Sequence, residues 1–353
     1  MEITPEIQAQ LDEQKKQCIF CKIISGEMDS AKVYNDKHMQ AVLDINPGVK
    51  GHMLLLPKEH YPIMPYLPGE VFEHLFGMIA PLIGAAKQSL LTKGASVFVA
   101  NGAVAGQQSP HFLVHLMPRD KGDKFTKFRL DSTKPLDDSK QQQVIGMLTN
   151  NIPLMMKNHF SRHPAEWHKG GGETPSYLLE IKGSHPFVYE DEKVLVTVAS
   201  NPQQLGHMTI YSKEEENDFE NLSKESAAHM FFVASFCATA AFEGLQAHGS
   251  NIILQTGECA DSDGRLMMHV LPRYQDDGID LLWEPMKDAP DAKTVENRLR
   301  DRMFVLEHTG SEEKKEVINF DTVETFGESN SGEVATVGHE DEIRKAMKKI
   351  REA

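Results

Sequence analysis

The chain has 353 residues, 40% hydrophobic and 25% charged, a length and balance that predict two or three globular domains rather than a disordered or fibrous polymer. Its 37 basic and 52 acidic residues leave a net charge of −15, which repels a nucleic-acid backbone, so nucleic acid is not expected as the main partner. No uninterrupted apolar run approaches the ~18 residues of a membrane span. The polar start MEITPEIQAQLDEQKKQ lacks the apolar centre of a signal peptide, and the expected location is cytoplasmic.

In chain order, residues 1–17 read as a short amphipathic helix, with Thr4 as N-cap, Pro5 at the first helical position and Ile7 and Leu11 on one face. The segment CIFCKIISGEM reads as an apolar strand ended by Gly26, and Val33-Tyr34-Asn35-Asp36 as a turn. Two strands follow, residues 39–45 and 51–57, joined by a turn containing Asn46, Pro47 and Gly51. Residues 69–91 carry apolar side chains at helical spacing (Val71, Phe72, Leu75, Ile79, Leu82, Ile83), and Pro81 predicts a kink there. A strand over 97–100 then enters the stretch NGAVAGQQSPHFLVHLMPR, a polar loop followed by alternating residues that place His111, Leu113 and His115 on one face of a strand. Two histidines beside a polar loop fit an anion or metal site; they also fit an ordinary sheet surface.

The same order of blocks returns about 155 residues later. Val33-Tyr34-x-Asp36 returns as Val188-Tyr189-x-Asp191, and Asn46-Pro47-x-x-x-Gly51-His52-Met53 as Asn201-Pro202-x-x-x-Gly206-His207-Met208. Asn101-Gly102 becomes Thr256-Gly257, the helix returns near 221–243, and His115-x-x-Pro118-Arg119 becomes His269-x-x-Pro272-Arg273. The offset stays between 154 (His115 to His269) and 158 (Cys18 to Ser176). The chain therefore divides into two homologous domains, 18–120 and 174–275. Residues 121–173 form a linker with a helix near 141–159 and a Gly170-Gly171-Gly172 run. Residues 276–353 read as a charged, solvated tail, with helical spacing over 295–305 and 341–351.

Four separated blocks of the first repeat, from CIFCKII through Arg119, resemble the histidine triad (HIT) family of nucleotide-binding proteins. Its signature is an asparagine, a glycine-rich loop ending in Gly-Gln, and His-x-His-x-His. The resemblance implies an α+β fold, an antiparallel sheet with a long helix in each domain, and the tandem copy implies an intrachain pseudo-dimer. It also implies a purine mononucleotide or nucleoside phosphate as ligand. Ile19, Phe20, Ile23 and Ile45 would line the base pocket, and Asp44 would accept the ribose hydroxyls. Asn101, Gly106, Gln107, Gln108, Ser109 and His115 would hold the phosphate. Asp44 read without the resemblance is also a turn-starting residue before Asn46-Pro47.

Some family members hold a structural zinc on an N-terminal Cys-x-x-Cys and two histidines, and the matching residues here are Cys18, Cys21, His60 and His111. Two thiolates and two imidazoles suit zinc. A Cys-x-x-Cys alone would fit a redox pair or buried thiols equally well. The middle triad position, which supplies the family's nucleophile, is Leu113. An isobutyl group cannot attack phosphorus, so the expectation is binding with impaired or lost catalysis. In the second repeat Ser176, Leu179, Glu215 and Arg265 replace all four zinc ligands, Ala199 replaces Asp44 and Met267 replaces Leu113, so that repeat is expected to be structural. Two enzymatic alternatives remain open. One is dinucleoside-polyphosphate hydrolysis through His115; the other is a uridylyltransferase-like activity, although the His-Pro-His-x-Gln of those enzymes is absent. A third alternative is a protein-interaction factor acting through the acidic tail.

Overall fold

Each repeat builds five antiparallel strands, and the two sets join edge to edge. The computed structural model describes residues 12–120, 122–130, 136–162, 172–260 and 265–309. The first repeat runs α1 (Ile19–Ser25), β1 (Lys32–Asn35), β2 (Met39–Leu43), β3 (Met53–Pro57), α2 (Gly69–Gly77), α3 (Ile79–Leu90), β4 (Gly94–Asn101) and β5 (Val114–Arg119). A 25-residue helix, α4 (Asp138–Arg162), connects to the second repeat. That repeat runs α5 (Ser176–Ser184), β6 (Phe187–Glu190), β7 (Val194–Val198), β8 (Met208–Ser212), α6 (Lys224–Leu245), β9 (Gly249–Gly257) and β10 (Met267–Arg273), and α7 (Ala292–Thr309) follows it. The ten-stranded sheet has the order β1-β2-β3-β5-β4-β9-β10-β8-β7-β6, which reads the same way from either end and bears out the pseudo-two-fold pairing.

The seam of the molecule is β4 against β9, antiparallel over eight residue pairs from Gly94 with Gly257 to Asn101 with Ser250. Glycines at both ends make the close approach feasible. A Cβ at Gly94 would sit 2.8 Å from the Thr256 carbonyl oxygen, and one at the matching Gly249 2.8 Å from that of Asn101. Every strand has one face on the helices and one on the outside, as the two-residue period of a strand requires. Met53, Leu55, Val97, Val99, Ile252, Leu254, Met208 and Ile210 join α2, α3 and α6 in a single core that spans both repeats. Phe76 of α2 stacks on Phe231 of α6 with ring centroids 4.6 Å apart. The α6 helix is long and apolar enough to cross a membrane by length and composition, yet its Phe231, Val233, Ala234 and Cys237 are buried in this core.

Matching three-residue staples hold the two halves. The carboxylate of Asp36 accepts from the Tyr34 hydroxyl (2.6 Å), from His74 Nε2 (2.6 Å) and from the backbone N–H groups of His38 and Met39. In the second half Asp191 accepts from the Tyr189 hydroxyl, His229 Nε2 and the N–H groups of Lys193 and Val194. Burial would raise the Asp36 carboxyl, but the hydrogen bonds from His74, Tyr34 and the backbone outweigh it and hold the group well below the usual range.

Several elements differ from the sequence expectation. CIFCKII is a helix, α1, because Ile19, Phe20, Ile23 and Ile24 recur at helical as well as extended spacing, and Gly26 (φ 84°) closes it with its N–H on the Ile23 carbonyl. Lys32–Asn35 is an edge strand rather than a turn. The expected kinked helix over 69–91 is two helices that part at Met78. Pro81 sits in the first turn of α3, where its missing N–H has no helical partner to lose. The strand carrying the histidines begins at Val114, so His111 and Leu113 precede it.

The largest correction concerns residues 276–309, which are not a solvated tail. In α7 the side chains of Val295, Leu299 and Met303, four apart, are buried in the shared core, and the Asp291 carboxylate caps the helix by accepting from Thr294 N–H (3.0 Å). High charge on the other faces of α7 masked this single apolar stripe in a composition reading. The expected helix over 341–351, the 310–340 segment, Thr4-Pro5 and Gly170-Gly171 lie outside the described residues. Leu299→Ala is expected to destabilise the fold by about 2–5 kcal/mol, read as a lowered urea midpoint; an unchanged midpoint would return α7 to the status of an appendage.

Candidate functional site

Two sites occupy the outer face of the first repeat. The first is a four-residue cluster where α1 meets the segment before β5. Cys18, Cys21, His60 and His111 place one ligand atom each within 4.8 Å of one another. Cys18 Sγ lies 3.6 Å and Cys21 Sγ 3.5 Å from His111 Nδ1, and Cys21 Sγ lies 3.3 Å from His60 Nδ1. Bonds of ~2.3 Å to sulfur and ~2.05 Å to nitrogen at tetrahedral angles separate S and N by about 3.6 Å, so the donor atoms already have the spacing of a tetrahedron's corners. The remaining nitrogen of His111 donates to the Pro57 carbonyl (3.0 Å), which leaves Nδ1 as the lone-pair donor toward the cluster. Burial lowers His111 to about 4 and, with the neighbouring Cys18, pushes the Cys21 thiol up to about 12. The four residues fit a divalent metal in chemistry and spacing.

All four counterparts in the second repeat lack such a set. Arg265, at the position of His111, donates from Nε to the Tyr177 carbonyl (3.1 Å), tying α5 to the approach of β10 by a hydrogen bond where α1 is tied by the cluster.

The second site is a cleft of ≈ 470 Å³ beside the cluster. Of the expected nucleotide residues, Ile19, Phe20, Ile23, Asp44, Ile45, Gly106, Gln107, Gln108, Ser109 and His115 all line it, together with Leu113. Phe20, Ile23 and Leu113 pack with Val42 and Leu54 as an apolar floor, and Ile45, 88% exposed, stands at the rim. Asp44 divides its two oxygens. Oδ1 accepts from Asn46 N–H (2.8 Å), which is the turn-forming role, while Oδ2 lies 3.5 Å from His52 Nδ1, too far for a good hydrogen bond, and remains for a ligand.

Two expected phosphate residues have other work. Asn101 is not on the cleft wall; its Oδ1 accepts from Met64 N–H (3.1 Å). Gln107 lines the cleft, but its side chain shapes the loop, accepting from Gly102 N–H (2.9 Å) and donating to the carbonyls of Pro62 and Ser109. Glycine is required at 102 and 106, whose φ values are 99° and 91°. Of the expected phosphate residues, Gln108, the Ser109 hydroxyl and His115 are left for an anion, and the buried Ser30 hydroxyl lines the same cleft. Among the described residues no lysine or arginine lines the cleft.

The state of His115 follows from a chain of hydrogen bonds. Burial lowers both His52 and His115, the latter to about 3, so each ring is neutral with one proton at neutral pH. Gly48 N–H can only donate, and it points at His52 Nδ1 (3.3 Å). The His52 proton therefore sits on Nε2, which donates to His115 Nδ1 (3.0 Å), and the His115 proton sits on Nε2. His115 is a hydrogen-bond donor to the cleft through that nitrogen, not a free lone pair. The second repeat keeps the same relay, from Gln203 N–H to His207 Nδ1 (3.2 Å) and from His207 Nε2 to His269 Nδ1 (3.1 Å). Because Ala199 stands there in place of Asp44, the relay needs no carboxylate and no metal.

The sequence reading missed the cleft's outer wall. Leu282, Trp283 and Pro285, in the segment after the second repeat, cross to the first repeat and cover its histidines. The Trp283 ring stands edge-on to His52 and His115, with centroids 5.0 and 4.9 Å away. Gly48 leaves room for it, since a Cβ there would meet Trp283 Cδ1 at 2.6 Å. A signal was present: Arg119 and Arg273 each bind an aspartate four residues on and a carbonyl six residues on (Asp123 and Phe125; Asp277 and Ile279), so the repeat continues past residue 275.

The comparisons with known proteins agree with this architecture. The HIT domain profile matches the chain twice, over residues 25–122 and 182–276, and the chain belongs to the HIT family. It is 41% identical over 106 residues to an uncharacterised HIT-like protein of Methanocaldococcus jannaschii, covering 30% of this chain and 81% of that protein. It is 35% identical over 102 residues to the adenosine 5'-monophosphoramidase HNT1 of Saccharomyces cerevisiae, covering 29% of this chain and 62% of that one. Among solved structures, a zinc-bound histidine triad family protein from Mycobacterium smegmatis is similar at 31% identity and a TM-score of 0.31, covering 33% of this chain and 83% of that chain.

Asp44 yields a stability test. Burial raises its carboxyl above the ordinary 3.8. The folded state therefore holds the proton more tightly than the unfolded state, so the cost of ionising it is absent below 3.8 and grows as the pH rises through the raised value. Asp44→Asn keeps the acceptor for Asn46 N–H and removes that cost. The variant is expected to be more stable than the parent in urea at pH 7 and equal to it at pH 3; equal midpoints at both would mean that Asp44 is not strained by burial.

Proposed function

We propose that this chain is a nucleotide-binding HIT-family protein in which the first repeat carries a structural zinc and a mononucleotide cleft, and in which the family's covalent step is impaired or lost. The observation that carries the reading is Leu113. It occupies the middle triad position on the cleft wall, packed among Phe20, Ile23, Val42 and Leu54, while the binding groups around it are retained. A neutral leucine offers no lone pair to phosphorus. His115 is poorly suited to replace it, because the relay from Gly48 through His52 puts the proton on the nitrogen left for the cleft. That proton makes His115 a phosphate ligand. Asp44 Oδ2 would take a ribose hydroxyl, and the apolar floor and the exposed Ile45 would hold a purine. With only neutral donors for the anion, monophosphates are favoured over di- and triphosphates.

Zinc at Cys18, Cys21, His60 and His111 would fix α1, which carries Ile19, Phe20 and Ile23 to the cleft. Protein purified under reducing conditions is expected to hold one zinc per chain by elemental analysis, and Cys21→Ser to lose it and unfold at lower temperature. A metal-free protein that is indifferent to chelator would leave the four residues as packing.

The nucleotide reading is tested by calorimetry and turnover together. Adenosine monophosphate is expected to bind, Asp44→Ala to weaken it about tenfold, and adenosine phosphoramidate and dinucleoside polyphosphates to be turned over orders of magnitude more slowly than by a triad with its middle histidine. Leu113→His is expected to gain hydrolysis. Robust turnover by the natural chain, abolished in His115→Ala, would replace this reading with the hydrolase; no binding at millimolar nucleotide would leave a structural or protein-binding role. The yeast relative's name, a monophosphoramidase, supports the substrate class chosen for the assay.

A further inference from the structure

The second repeat is degenerate as a nucleotide site, yet it keeps a cleft of its own, ≈ 420 Å³, lined by Arg129, Leu130, Ala199, Ser200, Asn201, Met267 and His269. Five of these match positions of the first cleft: Ala199 stands for Asp44, Ser200 for Ile45, Asn201 for Asn46, Met267 for Leu113 and His269 for His115. The outer wall is exchanged in the same manner. Trp283 lies ten residues after Arg273 and covers the first repeat; Arg129 lies ten residues after Arg119 and reaches the second. The Arg129 arm is pinned there, since the Leu130 carbonyl accepts from Asn201 Nδ2 (3.2 Å) and Gln203 Nε2 (2.8 Å).

Three substitutions act in one direction. The carboxylate is removed (Asp44 to Ala199), an apolar rim residue becomes a hydroxyl (Ile45 to Ser200), and the indole becomes a guanidinium (Trp283 to Arg129). Through the retained relay, His269 presents an Nε2 proton just as His115 does. The nucleobase slot is filled: Leu178 is fully buried where its counterpart Phe20 is half-buried, and Tyr177, Ile181 and Met267 pack with Leu178, Leu195 and Tyr211.

We propose that the second repeat holds a separate oxyanion site, formed by Arg129, His269 and Ser200, for a small phosphorylated ligand without a nucleobase. A guanidinium pairs bidentately with phosphate oxygens, and among the described residues none that lines this cleft is acidic. This site is independent of what the first cleft binds.

The test is a titration of the full chain, labelled with ¹⁵N-histidine, with inorganic phosphate, following the His269 ring signals assigned by their loss in His269→Gln. A saturable shift of His269 is expected, and Arg129→Gln is expected to weaken it by about tenfold or more. Arg129 is exposed and outside the shared core, so this variant keeps the fold, which an unchanged His115 signal checks. A His269 signal that does not move, or an identical curve for Arg129→Gln, overturns the site. Adenosine monophosphate moving His269 at lower concentration than phosphate would overturn the base-free ligand class.

Discussion

The pairing of β4 with β9 is the constraint on which the rest of the molecule depends. It converts two five-stranded sheets, each with an exposed edge, into one sheet whose two central strands are the inner edges of the copies. Backbone contact this close at both ends of the seam demands glycine at 94 and 249, a requirement no side-chain interaction could relax. Once the seam is set, the helices of both copies share one core, and the outer faces become adjacent enough for a segment leaving one repeat to cover the other.

That adjacency governs the clefts. The arm carrying Trp283 and the arm carrying Arg129 leave equivalent points and cross in opposite directions, so each cleft takes its outer wall from the other copy. Duplication therefore does more than supply a spare domain. It allows one wall to become aromatic and the other cationic while the scaffold beneath stays common. The histidine relays, 3.0 and 3.1 Å between ring nitrogens, are the part of the site that both copies keep. Burial keeps their rings neutral, and the Gly48 and Gln203 N–H groups fix which nitrogen carries the proton, with no part played by Asp44 or the cysteines.

The cysteine–histidine cluster and its replacement illustrate two solutions to one mechanical problem. A short helix with few buried residues must be held against the outer face of the sheet. In the first repeat the donors of α1 converge with His60 and His111; in the second, Leu178 is buried and Arg265 bonds the backbone of α5. Loss of all four residues together is what a cooperative site predicts, since three donors without the fourth leave a buried polar cluster only partly satisfied.

The repeat, the antiparallel sheet with its helix in each copy, the four-residue cluster and most of the cleft lining were legible in the sequence, because each rests on residue type at fixed spacing: Cys-x-x-Cys, Asp44 before Asn46-Pro47, the Gly-Gln loop, and histidine at 111 and 115 with leucine between. Local chemistry of that kind survives without coordinates. The helical state of CIFCKII was not legible, since a seven-residue apolar run fits both periods until the sheet and Gly26 decide it. Nor were the structural roles of Asn101 and Gln107, whose amides could face either a ligand or their own loop. Only the tertiary structure placed Trp283 over the histidines and Val295, Leu299 and Met303 in the core. Both contacts join residues more than 150 positions apart across a pseudo-two-fold axis, and the packing partner that makes a charged helix or a lone tryptophan meaningful is set by the seam between the copies rather than by any neighbour in sequence.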